Sequence, residues 1–288
     1  MGSDILYSAA HDDLFDPSKR EGFFPSGRPT NDATLCAEMA RLAYCRMEPD
    51  FPFDQDRIEK ILNPIGFPSC QFFEEQGRPR GEGSHGFLAQ DPAQKLAVAA
   101  FRGTDATDFE DLALDADFIP TSWSKGGNVH EGFAKALAKL PGLQTAVDSL
   151  KGFRKLFTGH SLGAAMATLL ASLNPPDALY TFGSPRVGDT GFIRSLQGIQ
   201  GRRYVDCCDI VARVPLEVMN FTHLGKPHYI DRNRKVTFDP DDATVRNDQL
   251  LAEIDYVKKY LRFGNVPIRN LADHAPINYI WPVTADGT

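Results

Sequence analysis

A serine between two glycines is the first feature of this chain that points to chemistry. Gly159, Ser161 and Gly163 form a G-x-S-x-G pattern, with Leu156 and Phe157 before it and an alanine- and leucine-rich run after it. A strand, a sharp turn and a helix in this order form a nucleophile elbow, which exposes the serine hydroxyl above a sheet. The glycines leave room for the turn because they carry no Cβ. The pattern predicts Ser161 as a nucleophile, although an ordinary βα turn can carry the same letters.

Two backbone amides are candidates for an oxyanion hole. The N–H of Leu162 follows the serine at the start of the predicted helix, where the helix dipole also favours negative charge. The second candidate lies in the stretch A-A-F-R-G-T-D, where Gly103 allows a tight exit from a strand and Thr104 offers an amide and a hydroxyl. Donors aimed at an oxyanion are worth roughly 3–4 kcal/mol each. We expect Leu162 and Thr104 to fill this role, with a plain strand-ending turn as the alternative for R-G-T.

Chain order restricts the general base to three histidines. In folds with this elbow the acid and then the histidine follow the serine, which leaves His223, His228 and His274. His228 lies inside a strand-like run, where a structural role fits better. His223 leaves only a short loop between acid and base. His274 lies in the non-periodic segment N-L-A-D-H-A-P after a long helix, and we select it as the base.

Two aspartates compete for the role of the triad acid. Asp206 and Asp209 both lie near the end of the strand-like run R-R-Y-V-D-C-C-D-I-V. Asp206 falls within the strand, whereas Asp209 begins the turn at its carboxyl edge. The acid must hold the histidine tautomer and stabilise the imidazolium without taking the proton itself. We therefore select Asp209.

Composition and charge argue against several other classes of protein. The chain has 288 residues and a formal net charge of −7, so a nucleic-acid partner is not expected. No apolar run approaches the ~18 residues that a transmembrane segment needs. The N-terminus has no basic start followed by an apolar stretch, so we expect no signal peptide.

The cysteines favour a reducing compartment. Their odd number excludes complete pairing within the chain, and none forms a C-x-x-C motif; they are Cys36, Cys45, Cys70, Cys207 and Cys208. We expect a cytoplasmic protein, or a secreted one if its N-terminus is already processed.

Alternating strand-like and helix-like stretches predict an α/β fold. A meander over residues 70–74, 85–90 and 95–101 precedes the elbow, and a hairpin at 228–231 and 235–238 leads into a long amphipathic helix over 245–263. This order is typical of a central, mostly parallel sheet with helices on both faces and antiparallel strands at its ends. We expect one domain over residues 1–288, with an irregular N-terminal arm at 1–29.

Five separated segments resemble the class 3 (fungal-type) triacylglycerol lipases. They are F-R-G-T (101–104), V-H-E-G-F (129–133), G-H-S-L-G (159–163), T-F-G-S-P-R-V-G-D (181–189) and D-I-V-A-R-V-P (209–215). The resemblance implies an α/β-hydrolase fold, with Ser161, Asp209 and His274 as the catalytic triad. It also implies Thr104 and Leu162 as the oxyanion hole, and no metal or organic cofactor.

The same resemblance places a short helical lid at residues 105–119. That segment contains six acidic residues, which would be repelled by an anionic phospholipid surface. Compared with the family's D-W-x-x-D pattern, this chain has Asp111 and Asp115 without the tryptophan, and Asp115 is expected to hydrogen-bond the Thr104 region. A solvated helix without a gating role is the alternative.

Taken together, the residues predict a serine carboxylester hydrolase of the lipase or esterase type. It would cleave acylglycerols or other fatty-acyl esters through an acyl-enzyme, so its partners would be a lipid or small ester substrate and a transient lipid interface. A phospholipase or acyltransferase would use the same triad. A lipase-like binding module with a disused site is the remaining alternative.

Overall fold

A central sheet of eight strands organises the protein. The computed structural model describes residues 6–46, 53–75, 83–103 and 119–287. The predicted oxyanion residue Thr104, Asp115 and the predicted lid up to residue 118 lie outside these ranges. The ten strands of the described ranges are β1 (Ser69–Glu74), β2 (His85–Asp91), β3 (Leu96–Phe101), β4 (Pro120–Ser122), β5 (Asn128–His130), β6 (Arg154–His160), β7 (Ala178–Phe182), β8 (Gln200–Asp206), β9 (Pro227–Ile230) and β10 (Val236–Phe238).

The main sheet has the order β1-β2-β3-β6-β7-β8-β9-β10. Strands β3, β6, β7, β8 and β9 run parallel, and β1, β2 and β10 pair antiparallel at the ends. The predicted meander and terminal hairpin are therefore confirmed. Because the carboxyl ends of parallel strands meet at one edge, the segments after β3, β6, β7 and β8 lie together.

Helices cover both faces of this sheet. In the described ranges they are α1 (His11–Phe15), α2 (Asp32–Leu42), α3 (Gln55–Leu62), α4 (Glu131–Ala138), α5 (Leu143–Ser149), α6 (Leu162–Leu173), α7 (Thr190–Arg194), α8 (Asp242–Tyr260), α9 (Arg269–Ala272) and α10 (Ile277–Asp286). Alternate residues of β3 point to opposite faces, as the period of a strand requires. Val98 packs in the core with α2, α3 and α10, whereas Ala99 packs in the core with α4, α5 and α6.

Local capping explains where two early helices begin. The Asn31 side chain accepts a hydrogen bond of 2.8 Å from the amide of Ala33 at the start of α2. The Asp54 carboxylate accepts one of 3.1 Å from the amide of Arg57 at the start of α3. Asparagine and aspartate are favoured at this position because their oxygens satisfy first-turn amides.

The N-terminal arm is more ordered than the sequence predicted. It contains α1 and a 3-10 turn at Pro17–Lys19, where the sequence suggested an irregular segment. The physical reason is a buried carboxylate: Asp13 binds the hydroxyl of Ser8 and the guanidinium of Arg20. None of the helices in the described ranges has the length and apolar character needed to cross a bilayer.

Candidate active site

The serine of the G-x-S-x-G pattern lies in a strained turn between β6 and α6. Ser161 has φ 60° and ψ −130°, a conformation that L-residues rarely adopt. A Cβ on Gly159 would overlap the backbone of Gly163, and a Cβ on Gly163 would overlap the carbonyl of Phe101. Both glycines are therefore required by close backbone contact. The sequence folds locally into the predicted elbow.

The Ser161 hydroxyl lies below the molecular surface. The residue is 1% exposed, and among the described residues its Oγ has no hydrogen-bond partner. Its backbone N–H donates to the carbonyl of Phe182 at 3.1 Å, which ties the turn to the end of β7. Leu162 is the first residue of α6, so its N–H has no acceptor within the helix. A hydroxyl and a helix N-terminus thus lie side by side.

Asp209 and His274 form a buried pair. Nδ1 of His274 lies 2.9 Å from Oδ2 and 3.0 Å from Oδ1 of Asp209, and both side chains are buried. Asp209 lies three residues beyond the end of β8, and its Oδ1 also accepts the amide of Val211 at 2.8 Å. His274 lies two residues beyond the end of α9. This is the arrangement that holds an imidazole in one tautomer.

Two glycines connect this pair with the elbow. A Cβ on Gly183 would lie 2.7 Å from Oδ2 of Asp209 and 3.0 Å from the ring of His274, so the end of β7 passes directly against both. A Cβ on Gly103 would lie 2.9 Å from the Cβ of Ser161. Gly103, the residue before the predicted oxyanion residue Thr104, therefore lies next to the serine.

Tyr279 is a site residue that sequence reasoning missed. Its hydroxyl donates to Oδ2 of Asp209 at 2.5 Å, and the hydroxyl oxygen accepts a hydrogen bond from the amide of Asp206 at 3.1 Å. Burial, reinforced by the two carboxylates, raises the pKa of Tyr279 well above its usual range. The phenol therefore stays protonated and donates to the acid. No spacing rule in the sequence connects position 279 with position 209.

A second missed group supports the imidazole of His274. The ring of His160 lies 4.4 Å from that of His274 between centroids, at an interplanar angle of 36°. Nδ1 of His160 is 2.7 Å from the hydroxyl of Tyr44. Burial lowers the pKa of His160 well below its usual range, and the nearby His274 lowers it further. A neutral ring therefore lies against His274. The only sequence signal was the position of His160 inside G-H-S-L-G.

Asp206, the competing acid, is occupied elsewhere. Its Oδ1 accepts hydrogen bonds from the guanidinium of Arg234 at 2.7 Å and from the amide of Cys207 at 2.8 Å. Burial raises the pKa of Asp206 to about 7, against the opposing effect of Arg234. The two competing histidines are also separate from the acid: Nε2 of His223 is 2.8 Å from the carbonyl of Ala212, and His228 lies within β9.

A buried ion pair links the acid and base loops. The carboxylate of Asp273, next to His274, accepts three hydrogen bonds. The donors are the guanidinium of Arg269 at 3.0 Å, the hydroxyl of Tyr7 at 2.7 Å and the amide of Cys208 at 2.9 Å. Within the described ranges, Cys207, Cys208 and Asp273 form the one cluster with metal-ligand atoms within 4.8 Å of one another. Since Asp273 already has three donors, this cluster is satisfied by protein groups.

The comparisons with known proteins agree with this geometry. A family model described as "Lipase (class 3)" matches residues 98–219. The chain is 31% identical over 172 residues to a lipase of Rhizomucor miehei, covering 54% of this chain and 47% of that protein. It is 28% identical over 180 residues to secreted mono- and diacylglycerol lipase A of Penicillium camembertii, covering 56% of each. The chain thus spans about half the length of these curated relatives.

Solved structures show the same fold. Lipase II from Rhizopus niveus is similar with a TM-score of 0.58 and 24% identity, covering 83% of this chain and 96% of that chain. The predicted α/β-hydrolase fold is confirmed. The expected cytoplasmic setting finds no support among the relatives, three of which, from Penicillium cyclopium, Penicillium camembertii and Fusarium solani, are described as secreted. In its matched segment, its elbow and its sheet, the chain is similar to the class 3 lipases.

Proposed function

We propose that this protein is a serine carboxylester hydrolase that cleaves fatty-acyl esters through an acyl-enzyme. The observation that carries the proposal is the 2.9 Å contact between Asp209 and His274, whose ring lies 4.4 Å from that of His160, the residue before the strained Ser161. An acid, an imidazole and a serine at the carboxyl edge of one parallel sheet are the groups that acyl transfer needs. The similarity of the chain to class 3 lipases supports a lipid ester as the substrate.

The proposed reaction has two halves. The Ser161 hydroxyl attacks the ester carbonyl while His274 takes its proton and then donates that proton to the leaving alcohol. Water, activated by the same imidazole, then releases the acid and regenerates the serine. Asp209 holds the His274 ring and stabilises its positive charge in both halves. Leu162 N–H and Thr104 are proposed to bind the oxyanion in each tetrahedral intermediate.

We further propose that access to the serine is gated. Ser161, Asp209 and His274 are all buried, so an ester carbonyl reaches Oγ only after part of the surrounding chain moves. The segment 105–119, which follows the predicted oxyanion residue, is the proposed gate. A gate that opens on a lipid surface predicts a rise in rate when a soluble ester is taken above its solubility limit.

The test is hydrolysis of short p-nitrophenyl esters by Ser161→Ala and by the matched variant Ser172→Ala. Ser172 is another buried serine, in the last part of α6. Activity is expected to be lost in the first variant and retained in the second. Retained activity in Ser161→Ala would overturn the proposal. Emulsified triacylglycerol, phospholipid and an acceptor alcohol, offered to the same preparations, separate a lipase from a phospholipase and an acyltransferase.

A further inference from the structure

An unpaired guanidinium lies in the middle of β8. Arg203 is partly buried, and its Nε atom is shielded from solvent without a hydrogen-bond partner. Among the described residues, its side chain has neither a hydrogen bond nor an ion pair. Burial, with the nearby charge of Arg186, lowers the pKa of Arg203 to about 10, so the group is still charged at neutral pH. A charge held away from water without a counter-charge destabilises a fold.

The strands on either side of β8 supply no counter-charge to this arginine. Arg203 lies opposite Thr181 in β7 and opposite Pro227 in β9, and neither of these side chains is charged. Side chains alternate along a strand, so Val205 lies on the same face of β8 as Arg203. Tyr204, between them, packs in the core with α2 and α10. The guanidinium therefore belongs to the face of β8 that is turned away from this core.

A cavity of about 640 Å³ opens at that face. Its walls come from β8, β9, the loop over residues 207–213 and the first turns of α8. Arg203 lines it together with the apolar side chains of Val205, Ala212 and Val245. Sites for small molecules have volumes of roughly 300–1,000 Å³ and combine apolar walls with a few polar groups that fix the ligand. We call this space the Arg203 cavity.

The other charged groups of the Arg203 cavity already have partners or meet solvent. Four of them form two ion pairs, Lys226 with Asp239 at 3.3 Å and Arg186 with Glu217 at 3.0 Å. The catalytic acid Asp209 is bonded to the base and to Tyr279. Two more are exposed: Arg213 and Asp242. The described walls thus hold four basic and four acidic side chains, and any attraction for an anion is local to Arg203.

The histidine beside Arg203 carries no charge that would change this balance. Nε2 of His223 lies 2.8 Å from the carbonyl of Ala212, so this nitrogen carries the hydrogen. Burial, with the charges of Arg203 and Arg186, lowers the pKa of His223 well below its usual range. Its neutral ring also lines the cavity, where it lies close enough to Arg203 to report a bound ligand.

We propose that the Arg203 cavity binds a carboxylic acid with a short apolar chain. A guanidinium forms two parallel hydrogen bonds with a carboxylate, which matches its planar fork. One unpaired cation balances the single charge of a carboxylate, whereas a phosphate group carries up to about two charges at neutral pH. The chain of the acid would lie against Val205, Ala212 and Val245, which share the walls with Arg203.

Ester hydrolysis releases an acid of this kind. The ligand class therefore includes a product of the proposed reaction, and this identification rests on the proposed function. The site itself does not, because the unpaired charge of Arg203 and the apolar walls are independent of Ser161. Binding is accordingly measured on protein that lacks the proposed nucleophile, so the site and the reaction succeed or fail separately.

The binding test titrates three probes into Ser161→Ala by calorimetry at neutral pH: hexanoate, hexanol and inorganic phosphate. Hexanoate is expected to bind most tightly, since hexanol lacks the charge and phosphate lacks the apolar chain. Adding Arg203→Met is expected to weaken hexanoate binding by at least about tenfold, because hydrogen bonds to a charged group are lost. Arg203→Lys should recover part of the affinity, because it keeps the charge but not the planar fork. The NMR signals of the His223 ring should move with hexanoate, which locates the bound acid.

Arg213→Met is the matched control, because Arg213 is an exposed arginine in the wall of the same cavity. It is expected to bind hexanoate as Ser161→Ala alone does. Equal affinity with and without Arg203→Met would overturn the proposal, and so would an absence of hexanoate binding or tighter binding of phosphate.

Thermal unfolding without ligand separates a binding role of Arg203 from a structural one. Arg203→Met is expected to raise the melting temperature, because an apolar side chain of similar length replaces a partly buried charge that has no partner. A melting temperature lowered by Arg203→Met would show that the fold needs the guanidinium, and would contradict its assignment to a ligand.

Discussion

The hydroxyl of Tyr279 and the Nδ1 atom of His274 share one oxygen of Asp209. They lie 2.5 Å and 2.9 Å from Oδ2, on a carboxylate that is shielded from water. The tyrosine therefore holds the same carboxylate oxygen that contacts the imidazole. Three chain segments that are distant in sequence, the loop after β8, the segment after α9 and helix α10, are joined at this oxygen.

Removing that hydroxyl is expected to slow catalysis while leaving substrate binding unchanged. Tyr279→Phe loses a hydrogen bond to a charged group, and we expect kcat to fall about tenfold with little change in KM. The control is Tyr256→Phe, which removes a buried hydroxyl that donates to the backbone carbonyl of Val266 and not to the catalytic acid. A similar fall in kcat for both variants would show that losing a buried hydroxyl lowers activity through the stability of the protein, and not through the position of Asp209.

The two aspartates of the β8 loop are expected to separate activity from stability. Asp209→Asn should lower kcat by a factor of about 10⁴, because the amide of the new asparagine favours the wrong imidazole tautomer. Asp206→Asn leaves the buried Arg234 without its carboxylate and should lower the free energy of unfolding by about 3–5 kcal/mol. Ester kinetics and denaturant unfolding of both variants test this; the reverse pattern would move the catalytic acid to Asp206.

Gly183 is expected to be required for the geometry of the acid and base. Gly183→Ala places a Cβ at 2.7 Å from Asp209 and 3.0 Å from His274, and a displacement of this kind can cost about 100-fold in kcat. Gly152→Ala is the control, because Gly152 also has a positive φ but has no heavy atom within 4 Å of the added Cβ. Each variant should lose about 1–2 kcal/mol of stability from backbone strain. Only Gly183→Ala should lose activity; equal activity in the two would contradict the assignment.

A buried histidine in β2 is expected to make the fold acid-sensitive. Burial, with the charges of Arg102 and Arg46, lowers the pKa of His85 from 6.5 to about 2. Between these values the unfolded chain binds a proton that the folded chain does not, so stability is lost as the pH falls below 6.5. At pH 5 the loss from this one residue is about 2 kcal/mol.

His85→Leu should narrow the difference in melting temperature between pH 7 and pH 5. Neither ring nitrogen has a hydrogen-bond partner among the described residues, so the apolar replacement removes no bond found there. The difference should not vanish, because burial also lowers the pKa of His160 and of His223. An unchanged difference would show that His85 is protonated in the folded protein.

The elbow and the acid–base pair were predictable because each depends on local rules. Gly159 and Gly163 mark the turn around Ser161, and chain order with strand ends selects Asp209 and His274. The structure brings the last two together at 2.9 Å. Tyr279 and Tyr44 were not predictable, because their hydroxyls reach the site only through the packing of α10 and α2.

The orientation of α8 shows a second limit of sequence reasoning. A stripe of leucine, isoleucine and valine normally indicates the buried side of a helix. Here the inward side consists of Ala252 and Tyr256 with polar neighbours, and the stripe faces solvent. The period predicts an amphipathic helix correctly, but it does not specify which side of the helix packs against the protein.

The most direct test of the central claim is covalent labelling of the nucleophile. The protein is incubated with a fluorophosphonate, and the modified residue is located by peptide mass spectrometry. The account predicts one adduct on Ser161, no adduct in Ser161→Ala, and much slower labelling in His274→Ala, where the base is missing. An unlabelled protein, or an adduct on another serine with Ser161 unmodified, would contradict it.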